Sequence, residues 1–194
     1  QSVPMETELE AKVAVDDLES VRGKLRTLQA KRSGRRLELN IYFDTADRSL
    51  LAADKGLRIR SMQSLDTPAA ATATVVTFKG PQAAGSDLKS REEIEFSVES
   101  ADRAAALLAQ LGFHAELGFE KRRESWHLAG CEVELDELPR LGTFVEVEGA
   151  SSSSVKAVLQ LLGLGEPPLI TESYIAMMSR RIAGSACDEP IVRF

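Results

Sequence analysis

Almost every stretch of this chain with strand character carries charges two residues apart, and that spacing limits how the chain can fold. Successive side chains of a strand point to opposite faces, so residues i and i+2 share one. Glu8, Glu10 and Lys12 share a face, as do Arg58 and Arg60, then Arg91, Glu93 and Glu95. Lys121 pairs with Arg123 in the same way, Glu132 with Glu134 and Asp136, and Glu146 with Glu148. Period and β-propensity predict eight strands, near Met5–Val15, Arg36–Asp44, Lys55–Ser61, Thr72–Gly80, Ser90–Glu99, Gly118–Leu128, Cys131–Asp136 and Thr143–Gly149. Helical spacing predicts Asp16–Ala30, Ala101–Leu111, Ser152–Leu162 and Thr171–Ala183, with Gln63–Ala71 as a long hairpin loop.

A single charged pair is most simply the wet side of an antiparallel sheet. The residues between the charges point elsewhere: in Glu8–Val13 and Glu132–Asp136 the alternates are apolar, and the helices need an apolar surface to pack on. Strands that turn their apolar face outward under helices can turn the charged face inward. Closure of eight strands then removes exposed edges and leaves a lumen wide enough for a small ligand. The expected fold is α+β, an eight-stranded antiparallel β-barrel or tunnel with flanking α-helices. A lumen holding both signs cannot be a dry core, because unpaired buried charges cost several kcal/mol each. Arginine and lysine suit phosphate oxygens, and carboxylates beside them suit Mg²⁺ or Mn²⁺, hard cations that bridge protein and phosphate oxygens.

The remaining features bound the alternatives. The 194 residues, 43% hydrophobic and 28% charged, suffice for one domain, expected over residues 1–183 with a polar tail at 184–194. A net charge of −6 argues against a nucleic-acid partner. No apolar run is long enough to cross a bilayer, so no membrane partner and a cytoplasmic location are expected, as a monomer or homodimer. Cys131 and Cys187 have no metal-type spacing partner. His114 and His127 are expected at the surface or packed, with His127 facing away from Lys121 and Arg123, and Trp126 is expected to anchor the core under a helix. Any nucleotide binding cannot rest on a glycine-rich phosphate loop, because none is present.

Glu8-Leu9-Glu10-Ala11-Lys12 matches E-x-E-x-K, a weak signal by itself. It is followed in order by Tyr42-Phe43-Asp44-Thr45, Leu57-Arg58-Ile59-Arg60, Thr77-Phe78-Lys79-Gly80-Pro81, Arg91-Glu92-Glu93-Ile94-Glu95, Glu120-Lys121-Arg122-Arg123, Leu135-Asp136, Leu141 through Glu148, and Ser173-Tyr174. The series resembles the CYTH family, the triphosphate tunnel metalloenzymes, from Glu8 to about Met178. The resemblance implies that Arg58, Arg60, Lys79, Lys121 and Arg123 bind phosphate, with Arg91 a further member. It implies Glu8, Glu10, Glu146 and Glu148 as metal ligands, with Asp136 a ligand or a group behind one. Lys12 would contact phosphate or orient Glu10, and Tyr42 and Lys79 match a pair that orients water in family triphosphatases.

The implied substrate is a small triphosphate: ATP, tripolyphosphate or thiamine triphosphate. The blocks around Leu141–Glu146 and Ser173-Tyr174-Ile175 look closer to class IV adenylate cyclases, which convert ATP to cyclic AMP and pyrophosphate. Glu172, where those enzymes tend to have arginine, points the other way. A triphosphatase is the alternative, and a non-catalytic polyphosphate or nucleotide binder is a third reading that has no need of the complete acidic set.

Overall fold

Alternation builds a ring of strands here, and the apolar alternates bind the ring to its helices. The computed structural model describes residues 6–82, 89–166, 168–183 and 191–194, with backbone only at 6–8, 89 and 90. Its strands are β1 (Glu6–Val15), β2 (Lys31–Thr45), β3 (Gly56–Ser64), β4 (Ala73–Lys79), β5 (Lys89–Val98), β6 (Phe113–Leu128), β7 (Cys131–Leu138), β8 (Gly142–Gly149) and β9 (Ile191–Val192). The helices are α1 (Leu18–Thr27), α2 (Ser49–Ala52), α3 (Ala101–Gln110), α4 (Ser152–Leu161) and α5 (Tyr174–Ile182).

Pairing runs β2-β3-β4-β5-β1-β8-β7-β6, and β6 pairs back onto β2 from Phe113 to His127. Each of β1 to β8 therefore has two antiparallel neighbours, and the sheet closes on itself. This is the expected eight-stranded barrel with a ninth strand added: β9 runs parallel to β6 at Gly118 and Phe119. The end of the tail thus docks on the sheet, with Val192 only 1% exposed among Phe119, Tyr174 and Met178. Cys187 lies outside the described residues.

The barrel is apolar outside and charged inside on one flank. Ala11, Val13, Val133, Leu135, Val145 and Val147 point outward and pack with Val21 and Leu25 of α1 and with Val155, Val158 and Leu159 of α4. Trp126 joins this cluster, as expected for a core anchor. Burying each large side chain here contributes about 1.5–3 kcal/mol. Asp17 caps α1 by accepting from the Glu19 amide, and Ser151 and Ser154 form a reciprocal capping box on α4. On the opposite flank Leu57, Ile59 and Val76 pack under α3 through Ala101, Ala104, Ala105 and Leu108.

Helix α5 closes one end of the lumen. Phe119 lies two residues from Lys121 and Phe144 two from Glu146, so both aromatics share the inward face, and both pack with Tyr174 and Met178. Besides β9, two elements escape sequence reading. Residues Lys31–Arg35 of β2 hold no apolar residue and so no alternation, yet they pair with β6 across a bulge between Arg32 and Gly34. Asp66 of the β3–β4 loop holds them, accepting from the Arg32 guanidinium at 2.9 Å and the Arg35 amide at 2.8 Å. Four-residue α2 is too short to show a period.

Candidate active site in the charged tunnel

The inward faces enclose a cavity of about 550 Å³. Arg58, Arg60, Lys79, Arg91, Lys121 and Arg123 line it from four strands, and Glu10, Glu132, Glu134, Glu146 and Glu148 line it from three others. Six expected cations and three of the expected metal ligands therefore converge on one space. Glu8 falls among residues whose side chains are outside the description; its backbone lies opposite Arg91.

Each cation has a specific brace. Arg58 is 6% exposed, donates to Thr77 Oγ1 at 3.1 Å and lies 3.7 Å from Glu95, whose Oε2 accepts from Thr77. Arg60 donates through Nε to Asn40 Oδ1 at 2.9 Å. Lys121 Nζ lies 3.4 Å from Asp136 and 3.3 Å from Glu38. Lys79 pairs closely with Glu93 at the half-buried wall. Arg91 is turned to the rim, donating to Asp54 Oδ1 at 2.7 Å and to the Asp54 and Gly80 carbonyls.

Arg123 and Asp136 form the tightest unit. Nε of Arg123 donates to Asp136 Oδ1 at 2.6 Å, its Nη2 reaches Oδ2, and the same nitrogen contacts Glu146. Lys121 and the Tyr174 hydroxyl, at 3.0 Å, also face Asp136 Oδ2. Asp136 is fully buried and does not line the cavity. Burial lowers the Arg123 tendency to hold its proton, but Asp136 and Glu146 outweigh this and keep it firmly cationic. Burial, then Asp136 and Glu146, push the Tyr174 hydroxyl well up, so it stays a proton donor.

Lys12, 1% exposed, is held from four sides. Its Nζ donates to the Glu172 carbonyl at 3.0 Å, lies 3.2 Å from Glu146 and 3.8 Å from Glu10, and sits 4.0 Å over the Tyr174 ring. Such contacts orient the two carboxylates more than they offer a free cation. Tyr42 stacks on Phe119 at 5.8 Å and lines the cavity. Burial raises its hydroxyl, but Arg58, Lys79 and Arg60 outweigh burial and hold it below the usual tyrosine value.

The carboxylates form rows. Strand registers set Glu10 opposite Glu148 and Glu148 opposite Glu132; one step inward, Lys12 faces Glu146 and Glu146 faces Glu134. Like charges directly opposite across strands are destabilising, so the outer row is a place that favours a cation. Among the described residues no three His, Cys, Asp or Glu side chains already converge on one point at ligand distance.

His127 corrects an expectation. Six residues separate it from Lys121, an even number, so it shares the inward face; it stands exposed at the mouth, its Nδ1 3.8 Å from Glu132. Glu38 went unremarked in the sequence although Arg36, Glu38, Asn40 and Tyr42 alternate, and that alternation was the available signal. The rim around Leu51, Asp54 and Lys55 depends on α2 and could not be read.

Asp44 seats that rim. Its Oδ1 accepts the Thr45 and Leu50 amides at 2.7 and 2.9 Å, and its Oδ2 accepts that of Leu51 at 2.9 Å. Burial raises this carboxyl, but the three donors outweigh it and hold it below the usual 3.8. A depressed folded value means the stabilisation is full above the unfolded value, about pH 4, and is lost as pH falls through the folded one. Acid is therefore expected to loosen α2. Amide exchange at Leu50 and Leu51, corrected for intrinsic rates, should lose protection as pH falls below about 4; unchanged protection would remove Asp44 from this role.

With this geometry established, comparison with known proteins decides the family. The CYTH domain profile matches residues 5–170. The chain belongs to the CYTH family. Among curated relatives, this CYTH chain is 28% identical over 179 residues to a Methanocaldococcus jannaschii protein provisionally named an adenylate cyclase, covering 88% of this chain and 97% of that one. It is 32% identical over 146 residues to adenylate cyclase CyaB of Aeromonas hydrophila, covering 71% and 70%. A solved Hippeastrum protein, HpAC1, described as an adenylyl cyclase candidate with a dominant triphosphatase activity, shares the CYTH fold at a TM-score of 0.67 and 19% identity, covering 95% and 98%. No described helix is long and apolar enough to cross a membrane.

Proposed function

We propose that this chain is a metal-dependent enzyme that holds a triphosphate in the tunnel, and that its substrate is ATP, converted to cyclic AMP and pyrophosphate. The observation that carries the reading is the convergence of five cations, Arg58, Arg60, Lys79, Lys121 and Arg123, on a cavity whose adjacent strands carry a carboxylate row. Cations from several strands fit the oxygens of a polyphosphate, and preorganised cations stabilise charge that shifts between those oxygens in phosphoryl transfer.

The residues present fit a divalent metal. Glu10 and Glu148, with Glu146 one step inward, offer hard oxygen donors, and the like-charged row is relieved by a cation. Bound there, Mg²⁺ or Mn²⁺ would supply charge neutralisation between protein carboxylates and phosphate oxygens. Lys12 holds Glu10 and Glu146 in place, and Arg123 is aimed by Asp136. We assign Asp136 to that bracing and Arg91 to the rim. The apolar wall of Leu51, Ile175 and Ala176 favours a substrate with an organic end, which inorganic tripolyphosphate lacks. The two relatives named as adenylate cyclases agree with it.

A specific observation favours a second reading, hydrolysis of the terminal phosphate. The Tyr42 hydroxyl lies among Arg58, Lys79 and Arg60, which ease loss of its proton and suit it to orient water; the activity described for the Hippeastrum relative is of this kind. Purified protein with Mg²⁺ or Mn²⁺ and ATP is expected to release cyclic AMP and pyrophosphate, and EDTA to stop it. Orthophosphate instead selects the hydrolase. If ATP, tripolyphosphate and thiamine triphosphate all survive, both enzyme readings fail and a binding module remains.

A further inference from the structure

Glu38 is fully buried and does not line the cavity, yet three cations surround its carboxylate. Its Oε1 accepts from Arg36 Nε at 2.7 Å. Its Oε2 lies 3.3 Å from both Arg60 Nε and Lys121 Nζ, and no described donor points at it in hydrogen-bonding geometry. Stability alone is a weak explanation for a buried charge cluster, because exchanging a whole buried ion set for apolar residues is often neutral or stabilising.

Its effect on the two cavity cations is specific. Arg60 carries five N–H donors; Asn40 and Glu38 take its Nε side from behind, so the two terminal amino groups are the part of the fork that remains for a ligand. Lys121 has three donors; Asp136 and Glu38 occupy the back, leaving the front toward the cavity. Arg36, also cavity-lining, is held by the other oxygen while its Nη1 donates to Ser125 at 2.7 Å. We propose that Glu38 is a positioning residue of the triphosphate site: one hidden carboxylate, contributed by β2, sets the direction of cations from β2, β3 and β6 at once. Burial raises the Glu38 carboxyl, but Arg60, Lys121, Arg123 and Arg36 outweigh it, so the group stays ionised.

The proposal rests on the proposed function, and the test separates the two. Turnover by the wild-type chain is measured first with ATP and tripolyphosphate. Glu38→Gln, which keeps shape and loses charge, is expected to lower kcat by about 10- to 100-fold when assayed well below its melting temperature, the scale seen for groups that orient others. In an Arg60→Lys background the same change should have a smaller effect, because one of the groups it positions is already gone. Glu38→Asp, which keeps the charge, should recover part of the loss; it also carries the test if Glu38→Gln does not fold. Wild-type kcat in Glu38→Gln, a fully multiplicative loss in the double variant, or Glu38→Asp no better than Glu38→Gln would each overturn the proposal. If the wild-type chain leaves every triphosphate intact, the functional reading fails separately; tripolyphosphate affinity by calorimetry then decides on Glu38, with weakening of about tenfold expected and an unchanged affinity overturning it.

Discussion

Arg123→Ala is expected to leave the protein about 3–5 kcal/mol less stable and without measurable turnover. The guanidinium is the shared partner of Asp136 and Glu146, and Glu134 lies 3.9 Å away. Asp136 is completely buried and Glu134 and Glu146 nearly so, so alanine would take the shared cation from three carboxylates where water reaches them poorly. Lys121 and Tyr174 would still serve Asp136, which limits the damage but does not cancel it. Urea unfolding monitored by circular dichroism, with a product assay on the same preparation, checks both halves. A stability loss below about 1 kcal/mol would mean that the carboxylates do not depend on Arg123 as described.

Lys79→Ala should behave in the opposite way, with a fall of about 100- to 1,000-fold in kcat and a stability change under about 1 kcal/mol. Lys79 sits on the cavity wall with part of its side chain wet, and among the described residues it pairs closely with Glu93. Losing a half-exposed pair costs the fold little, because solvent screens what remains. Under the proposed function, losing this cation removes charge where the phosphoryl-transfer transition state needs it. Steady-state kinetics beside a thermal melt decides the matter: wild-type kcat would take Lys79 out of the reaction, and a collapsed melt would make it a structural residue.

The pair of variants also shows what the sequence could and could not say. Alternating charges at Arg58 and Arg60, or at Glu146 and Glu148, reveal which face each residue takes, because strand periodicity is local. The inward turn of that face was legible too, since Val13, Val133 and Val147 needed helices to cover them. Division of labour within the face was not. Asp136 looked like any other inward carboxylate until Tyr174, from a helix far along the chain, was seen to cap it. Glu38 has the same alternation as its neighbours, and only the meeting of β2, β3 and β6 makes it a hub. His127 was open to counting along the strand, and the parity was misjudged. The β9 strand had no signal: two residues paired in parallel to β6 draw their stability from Phe119 and Tyr174 rather than from any propensity of their own.

Ring closure has a consequence for how the protein comes into being. Glu10 and Lys12 belong to the first strand made, whereas Glu146 and Glu148 belong to the eighth, and the two strands are direct neighbours. A growing chain can zip β2 through β5 early, but β1 waits for its second partner until most of the polypeptide has emerged, and contacts so distant along the chain form slowly. The carboxylate rows of β1 and β8 are thus completed in one late event, when the first and eighth strands of the barrel join. A partly synthesised chain would not hold a weakened version of the row; it would hold Glu10 and Lys12 on one ribbon and Glu146 and Glu148 on another.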